Sequence, residues 1–147
     1  MKKSPPIIGL LGGIGSGKSA VAFALKECGC IVADADANTK AVLHDPEVRE
    51  QLIVWWGTKV LRTDGDIDRK AISDIVFHDE EARKQLEQLI HPRVRCMQEA
   101  QFAETVASTR GLVIDAPLLL EAGLDTLCEA LIFVESSREL RLSRVSE

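Results

Sequence analysis

The chain has 147 residues, 46% of them hydrophobic and 28% charged, and 18 Lys and Arg against 23 Asp and Glu give a net charge of −5. That length suits about one domain of 100–200 residues, and the composition excludes a wholly disordered chain. A negative chain is poorly suited to gripping long nucleic acid by counterion release, although a few amides and one or two cations can still hold a small anion.

No apolar run approaches the ~20 residues of a bilayer span. The opening Met1–Pro6 carries two lysines and no cleavable apolar region. The expectation is a cytoplasmic protein, neither secreted nor inserted in a membrane. Cys28, Cys30, Cys96 and Cys128 are then expected as free thiols of a reducing compartment. Cys28 and Cys30 form a C-x-C pair, but no second close pair joins them and the nearest histidine is His44, so no metal site is expected there.

In chain order, Ile7-Ile8-Gly9-Leu10-Leu11 is a short apolar run ending in glycines, the pattern of a buried parallel strand. Ser19–Lys26 carries Val21, Ala22, Ala24 and Leu25 at helical spacing, with Gly29 as a stop. Cys30–Ala33 is a second apolar run, closed by Asp34-Ala35-Asp36. Strand, helix and strand in so short a space predict a βαβ unit. From Ala37 to Arg110 helical patterns dominate. Asp45-Pro46 opens a helix running towards Trp56-Gly57. Thr63–Asp66 reads as a turn, Asp68 caps a helix through Phe77, another helix runs from Asp79 towards Ile90, and Pro92 begins a further long one. Strands return at Leu112–Ile114 and Ala130–Val134, and Ser136-Ser137 open a last helix over Glu139–Glu147. The expected organisation is an α/β core, residues 1–36 and 111–147, interrupted by a helical insertion, residues 37–110.

Gly12-Gly13-Ile14-Gly15-Ser16-Gly17-Lys18-Ser19 fits the phosphate-loop pattern G-x-x-x-x-G-K-[ST] between a strand and a helix. Residues without a β-carbon let the backbone turn sharply and aim successive N–H groups at phosphate oxygens. The positive end of the following helix dipole adds to them. In this pattern the residues from Gly13 to Ser19 (Gly13, Ile14, Gly15, Ser16, Gly17, Lys18 and Ser19) bind ATP. Lys18 reaches the β- and γ-phosphates, and the Ser19 hydroxyl ligates Mg²⁺. A guanine-reading Asn-Lys-x-Asp is absent, since Asn38 is the only asparagine. A compact core with a helical insertion suits a small-molecule kinase.

Asp34 and Asp36 fall where the second strand leaves the sheet, the end at which open α/β sheets bind ligands. A carboxylate there can accept a hydroxyl proton or hold Mg²⁺ through water, and it can equally cap a helix, a reading that applies most to Asp36. Asp115, at the end of the third strand, can hold the metal through water or cap the turn at Pro117. The acidic run Asp64-x-Asp66-x-Asp68 is not a calcium loop, because Arg69 and Ile75 stand where that loop needs Gly and an acid.

Together, Gly9–Ser19, Asp34-Ala35-Asp36, Asp64-Gly-Asp-Ile-Asp-Arg69, Val76-Phe77, His91-Pro92 and Pro117-Leu-Leu-Leu-Glu121 closely resemble the dephospho-CoA kinase family over nearly the whole chain. The resemblance implies a P-loop NTPase three-layer fold of the nucleoside-monophosphate-kinase type, with a parallel core sheet, a helical acceptor-binding region and a mobile lid. It implies ATP-dependent phosphorylation of the 3′-hydroxyl of dephospho-CoA, with Mg²⁺ and no nucleic-acid or membrane partner. Asp34 matches the acid that activates the hydroxyl, with Lys18 as its catalytic companion. Asp36, Arg69, His91 and Arg95 match the acceptor side. The alternatives are a kinase for another acceptor and an ATP-binding regulatory module. Two departures stand out: Trp55-Trp56-Gly57 replaces a frequent Phe-Gly, where packing is the expected role, and Arg141 stands where Gln is frequent. The lid and the C-terminal part of the family pattern are expected beyond Glu147.

Overall fold

The computed structural model describes residues 3–117 and 119–146. Leu118 of the Pro-Leu-Leu-Leu-Glu run, Met1 and Lys2 of the opening segment and Glu147 of the last helix lie outside them. The strands are β1 (Ile7–Gly12), β2 (Cys30–Asp34), β3 (Gly111–Asp115) and β4 (Ala130–Val134). The helices are α1 (Lys18–Glu27), α2 (Ala35–Leu43), α3 (Pro46–Trp56), α4 (Arg69–His78), α5 (Glu80–Ala103) and α6 (Arg138–Ser146). The chain divides into two compact units, one formed by residues up to Asp36 and from Gln98 onward, the other by Ala37–Met97. The second boundary of this division falls inside α5.

The first unit is built on a sheet of four parallel strands in the order β2-β3-β1-β4. Central strands of such a sheet are covered on both faces, which is why β1 reads as an unbroken apolar run. Leu10 of β1 and Val113 and Ile114 of β3 are fully buried. Ile114, Ala116 and Leu119 form a core cluster against which Ile7, Leu11, Ala35, Phe102, Leu124 and Cys128 pack. Gly9 is closely approached by side chains, since a β-carbon there would lie 2.7 Å from Leu131 Cδ2 and 3.0 Å from both Cys128 Sγ and Leu119 Cδ1. β1 and β2 are joined by α1, which packs against both. Gly29, at φ +97°, ends the connection in the left-handed region that glycine enters at low cost.

The second unit is helical around Val42, Leu43, Val48, Leu52, Val60, Ile67, Ile72 and Ile90. Trp55 and Trp56 pack against this core, with their ring centroids 5.8 Å apart. Asp45 caps α3, accepting from the N–H groups of Glu47 at 2.9 Å and Val48 at 3.4 Å, with Pro46 at the first helical position. Asp68 caps α4 in the same way, through Lys70 N–H at 3.0 Å and Ala71 N–H at 3.1 Å. In the turn before it, Asp64 accepts from Asp66 N–H at 2.9 Å, and a single antiparallel bridge joins Leu61 to Ile67.

Two sequence expectations need correction. α2 begins at Ala35, directly after β2 with no intervening loop, and so earlier than a cap at Asp36 would place it. Asp36 therefore lies inside the first helical turn, where its charge complements the helix dipole, and is not the cap. The helices expected on either side of His91-Pro92 are one helix, α5, with Pro92 in its interior. A proline there removes one N–H donor and crowds the preceding turn. One residue further on, Arg93 donates from Nη1 to the Leu89 carbonyl at 3.1 Å.

Candidate active site

The loop between β1 and α1 turns on two left-handed glycines, Gly15 at φ +72° and Gly17 at φ +94°. Ser16 N–H bonds the Gly13 carbonyl at 3.1 Å, which closes the loop on itself. Gly12 leaves the space for this, because a β-carbon on it would lie 2.5 Å from Ser16 Oγ. Gly17 caps α1 without a side-chain hydrogen bond, so the first-turn amides have no side-chain acceptor at the cap. Ser16 is 4% exposed, and its hydroxyl has no hydrogen-bond partner among the described residues. The loop thus combines first-turn amides, a helix dipole and a buried unsatisfied hydroxyl, a set of donors suited to an anion.

Lys18, the first residue of α1, bonds the Asp115 carboxylate through its ammonium group. Both side chains are largely buried, at 19% and 10% exposure. Asp115 ends β3, where it is in register with Leu10 of β1 on one side and Asp34 of β2 on the other. Asp34 and Asp115 therefore sit at the carboxyl ends of adjacent strands, whose axes run about 4.8 Å apart. Asp34 is exposed, while Asp115 is buried against the lysine. β3 stands between β1 and β2, so Asp34 is two strands from the loop and Asp115 is the acid next to it.

Sequence reasoning missed the other wall of the loop. Ser136 Oγ donates to the Gly15 carbonyl at 3.4 Å, and Arg144 Nη1 on α6 donates to the same carbonyl at 3.0 Å. A β-carbon on Gly15 would lie 2.6 Å from the Arg141 carbonyl oxygen, so α6 also demands glycine at that position. The sequence signal for these residues is the recurrence of arginine every three positions, Arg138, Arg141 and Arg144, straight after a strand.

The acceptor-side residues belong to the helical unit. Arg69 is the exposed first residue of α4. His91 and Arg95 lie four apart on α5, hence on one face of it. His91 borders an open groove of about 360 Å³ with Lys84, Glu87, Gln88 and Pro92. The four cysteines are free, and burial pushes the thiols of Cys30 and Cys128 above their ordinary range. Among the described residues no group of three or more His, Cys, Asp or Glu side chains is arranged to hold a metal ion, and no helix is long and apolar enough to cross a membrane.

The sequence model of the dephospho-CoA kinase family matches residues 6–147. The chain belongs to that family. It is 43% identical over 141 residues to a dephospho-CoA kinase of Bacillus licheniformis, covering 95% of this chain and 70% of the relative. Among solved structures, TT1252 from Thermus thermophilus is 35% identical with a TM-score of 0.84, over 97% of this chain and 72% of that one. A dephospho-CoA kinase from Campylobacter jejuni is 19% identical with a TM-score of 0.66, covering 98% of this chain and 96% of that one, and it supports the shared fold. With membership of this kinase family, the parallel sheet and its loop are those of a P-loop NTPase.

Proposed function

We propose that the chain catalyses transfer of the γ-phosphoryl group of ATP to the 3′-hydroxyl of dephospho-CoA, the last step of coenzyme A synthesis, in the cytoplasm. The new bond joins the 3′-oxygen to phosphorus, the bond from phosphorus to the β-phosphate oxygen breaks, and ADP leaves. The observation that carries this reading is the cluster at the strand ends, with Lys18 on Asp115 and Asp34 in register with Asp115. One anion site and one exposed carboxylate are the minimum that such a transfer requires.

The amides from Gly13 to Ser19 hold the phosphates. Lys18 exchanges its carboxylate partner for phosphate oxygens and offsets the charge that gathers on them. Asp34 orients the hydroxyl and accepts its proton, while Asp36, Arg69, His91 and Arg95 position the acceptor, with the helical segment within residues 37–110 as its binding region. The groups near the loop that suit a metal, the exposed Ser19 hydroxyl and the Asp34 and Asp115 carboxylates, are oxygen donors, which fits a hard cation such as Mg²⁺. Ser19 would hold it, and the ion would supply neutralisation of phosphate charge.

Asp34→Asn keeps the shape of the side chain and removes the base. Turnover is expected to fall about 10²–10⁴-fold with ATP affinity retained. Near-normal turnover in steady-state assays would overturn the role given to Asp34.

A further inference from the structure

We propose that Arg141 is a phosphate-binding residue of the nucleotide site, a third cation beside Lys18 and Arg144. This rests on the reading of the loop as an ATP site and adds to it a residue at a position where the family pattern frequently has an uncharged Gln. Arg141 lies one turn before Arg144 on α6, so the two side chains leave the same face of the helix. Arg144 is committed to the Gly15 carbonyl. Arg141 is not committed in this way: among the described residues its guanidinium has neither a carboxylate nor a carbonyl partner. Its main chain is pressed against Gly15, and its Nη1 lies 3.5 Å from the position a β-carbon on Gly13 would take. Arg141 is half-buried, and its guanidinium stands over the opening residue of the loop.

A cation beside a loop that already gathers amide dipoles and Lys18 raises the local positive potential. Without a carboxylate to offset it, the arrangement favours an anionic ligand spanning the loop and α6. The ligand class is a nucleoside di- or triphosphate, whose chain of phosphates is long enough to meet both. The planar fork of arginine suits it to phosphate oxygens in a way that glutamine cannot match.

The test compares Arg141→Gln and Arg141→Lys with the parent protein, using ATP, ADP and AMP in calorimetric titrations without acceptor and KM values for both substrates in the transfer assay. Arg141→Gln is expected to weaken ATP and ADP binding by about three- to tenfold, as for one partly solvated charge contact. The salt dependence of binding should become shallower. The KM for dephospho-CoA should stay within about twofold, and Arg141→Lys, which keeps the charge but not the fork, should recover part of the ATP affinity. Unchanged ATP and ADP affinity in a folded, active Arg141→Gln protein would overturn the inference alone. So would an equal rise in KM for both substrates, the mark of a purely structural residue. A parent protein that binds ATP but does not phosphorylate dephospho-CoA would sink the functional reading instead, and the binding arm would still decide on Arg141.

Discussion

Lys18 is held by Asp115, and that pairing has a measurable consequence. Removing one partner of a surface ion pair costs about 1 kcal/mol or less, while a fully buried pair costs about 3–5 kcal/mol because the remaining charge is stranded. At 19% and 10% exposure this pair lies between those limits. Asp115→Asn should therefore lower the unfolding midpoint in urea, and the double variant Lys18→Met with Asp115→Asn should recover part of the loss. A double variant less stable than the single one would show that Lys18 stabilises the fold through a contact other than Asp115. The thiols offer a second test. Burial keeps Cys30 and Cys128 protonated to higher pH than usual, whereas Cys28 and Cys96 are exposed. Alkylation of the native protein near pH 8, followed by peptide mass mapping, should label Cys28 and Cys96 first. Because a raised folded pKa favours the protonated form, the stability contributed by Cys30 and Cys128 is present below their ordinary value and lost as pH rises through the folded one.

At the scale of elements, the helix starts were the most legible features. Asp45-Pro46 and Asp68 combine a capping carboxylate with the residues that follow it, and this signal is local in sequence. Asp45→Ala is expected to cost about 1 kcal/mol in equilibrium unfolding, and a loss near zero would mean that the observed cap contributes nothing. The start of α2 was hard to place because the helix begins on the residue after a strand, leaving no loop to announce it, and Asn38 and Thr39 are weak helix formers. α5 misled for the opposite reason: Pro92 is a strong stop signal, yet its helix continues through it. The loop's position was legible for the same reason as the caps, since glycines, lysine and serine occur together between a strand and a helix. Its surroundings were not. The order β2-β3-β1-β4, which sets Asp115 beside Lys18, and the contact of Arg144 with Gly15 join residues far apart in sequence, and no local pattern encodes them.

For the whole molecule, the net charge of −5 hides a concentration of cations, Lys18, Arg141 and Arg144, around one loop. Local cations among amides are what a phosphate ligand requires, and overall sign is a poor guide to them. Family membership, the parallel sheet and the strand-end carboxylates all bear on one reaction. The most direct measurement is product analysis after incubating the full-length protein with ATP, Mg²⁺ and dephospho-CoA, with AMP, CMP and shikimate as competing acceptors. The account predicts coenzyme A carrying its new phosphate on the 3′-oxygen, formed one for one with ADP, and little transfer to the other acceptors. ADP released without coenzyme A, or phosphate delivered mainly to AMP, CMP or shikimate, would contradict it.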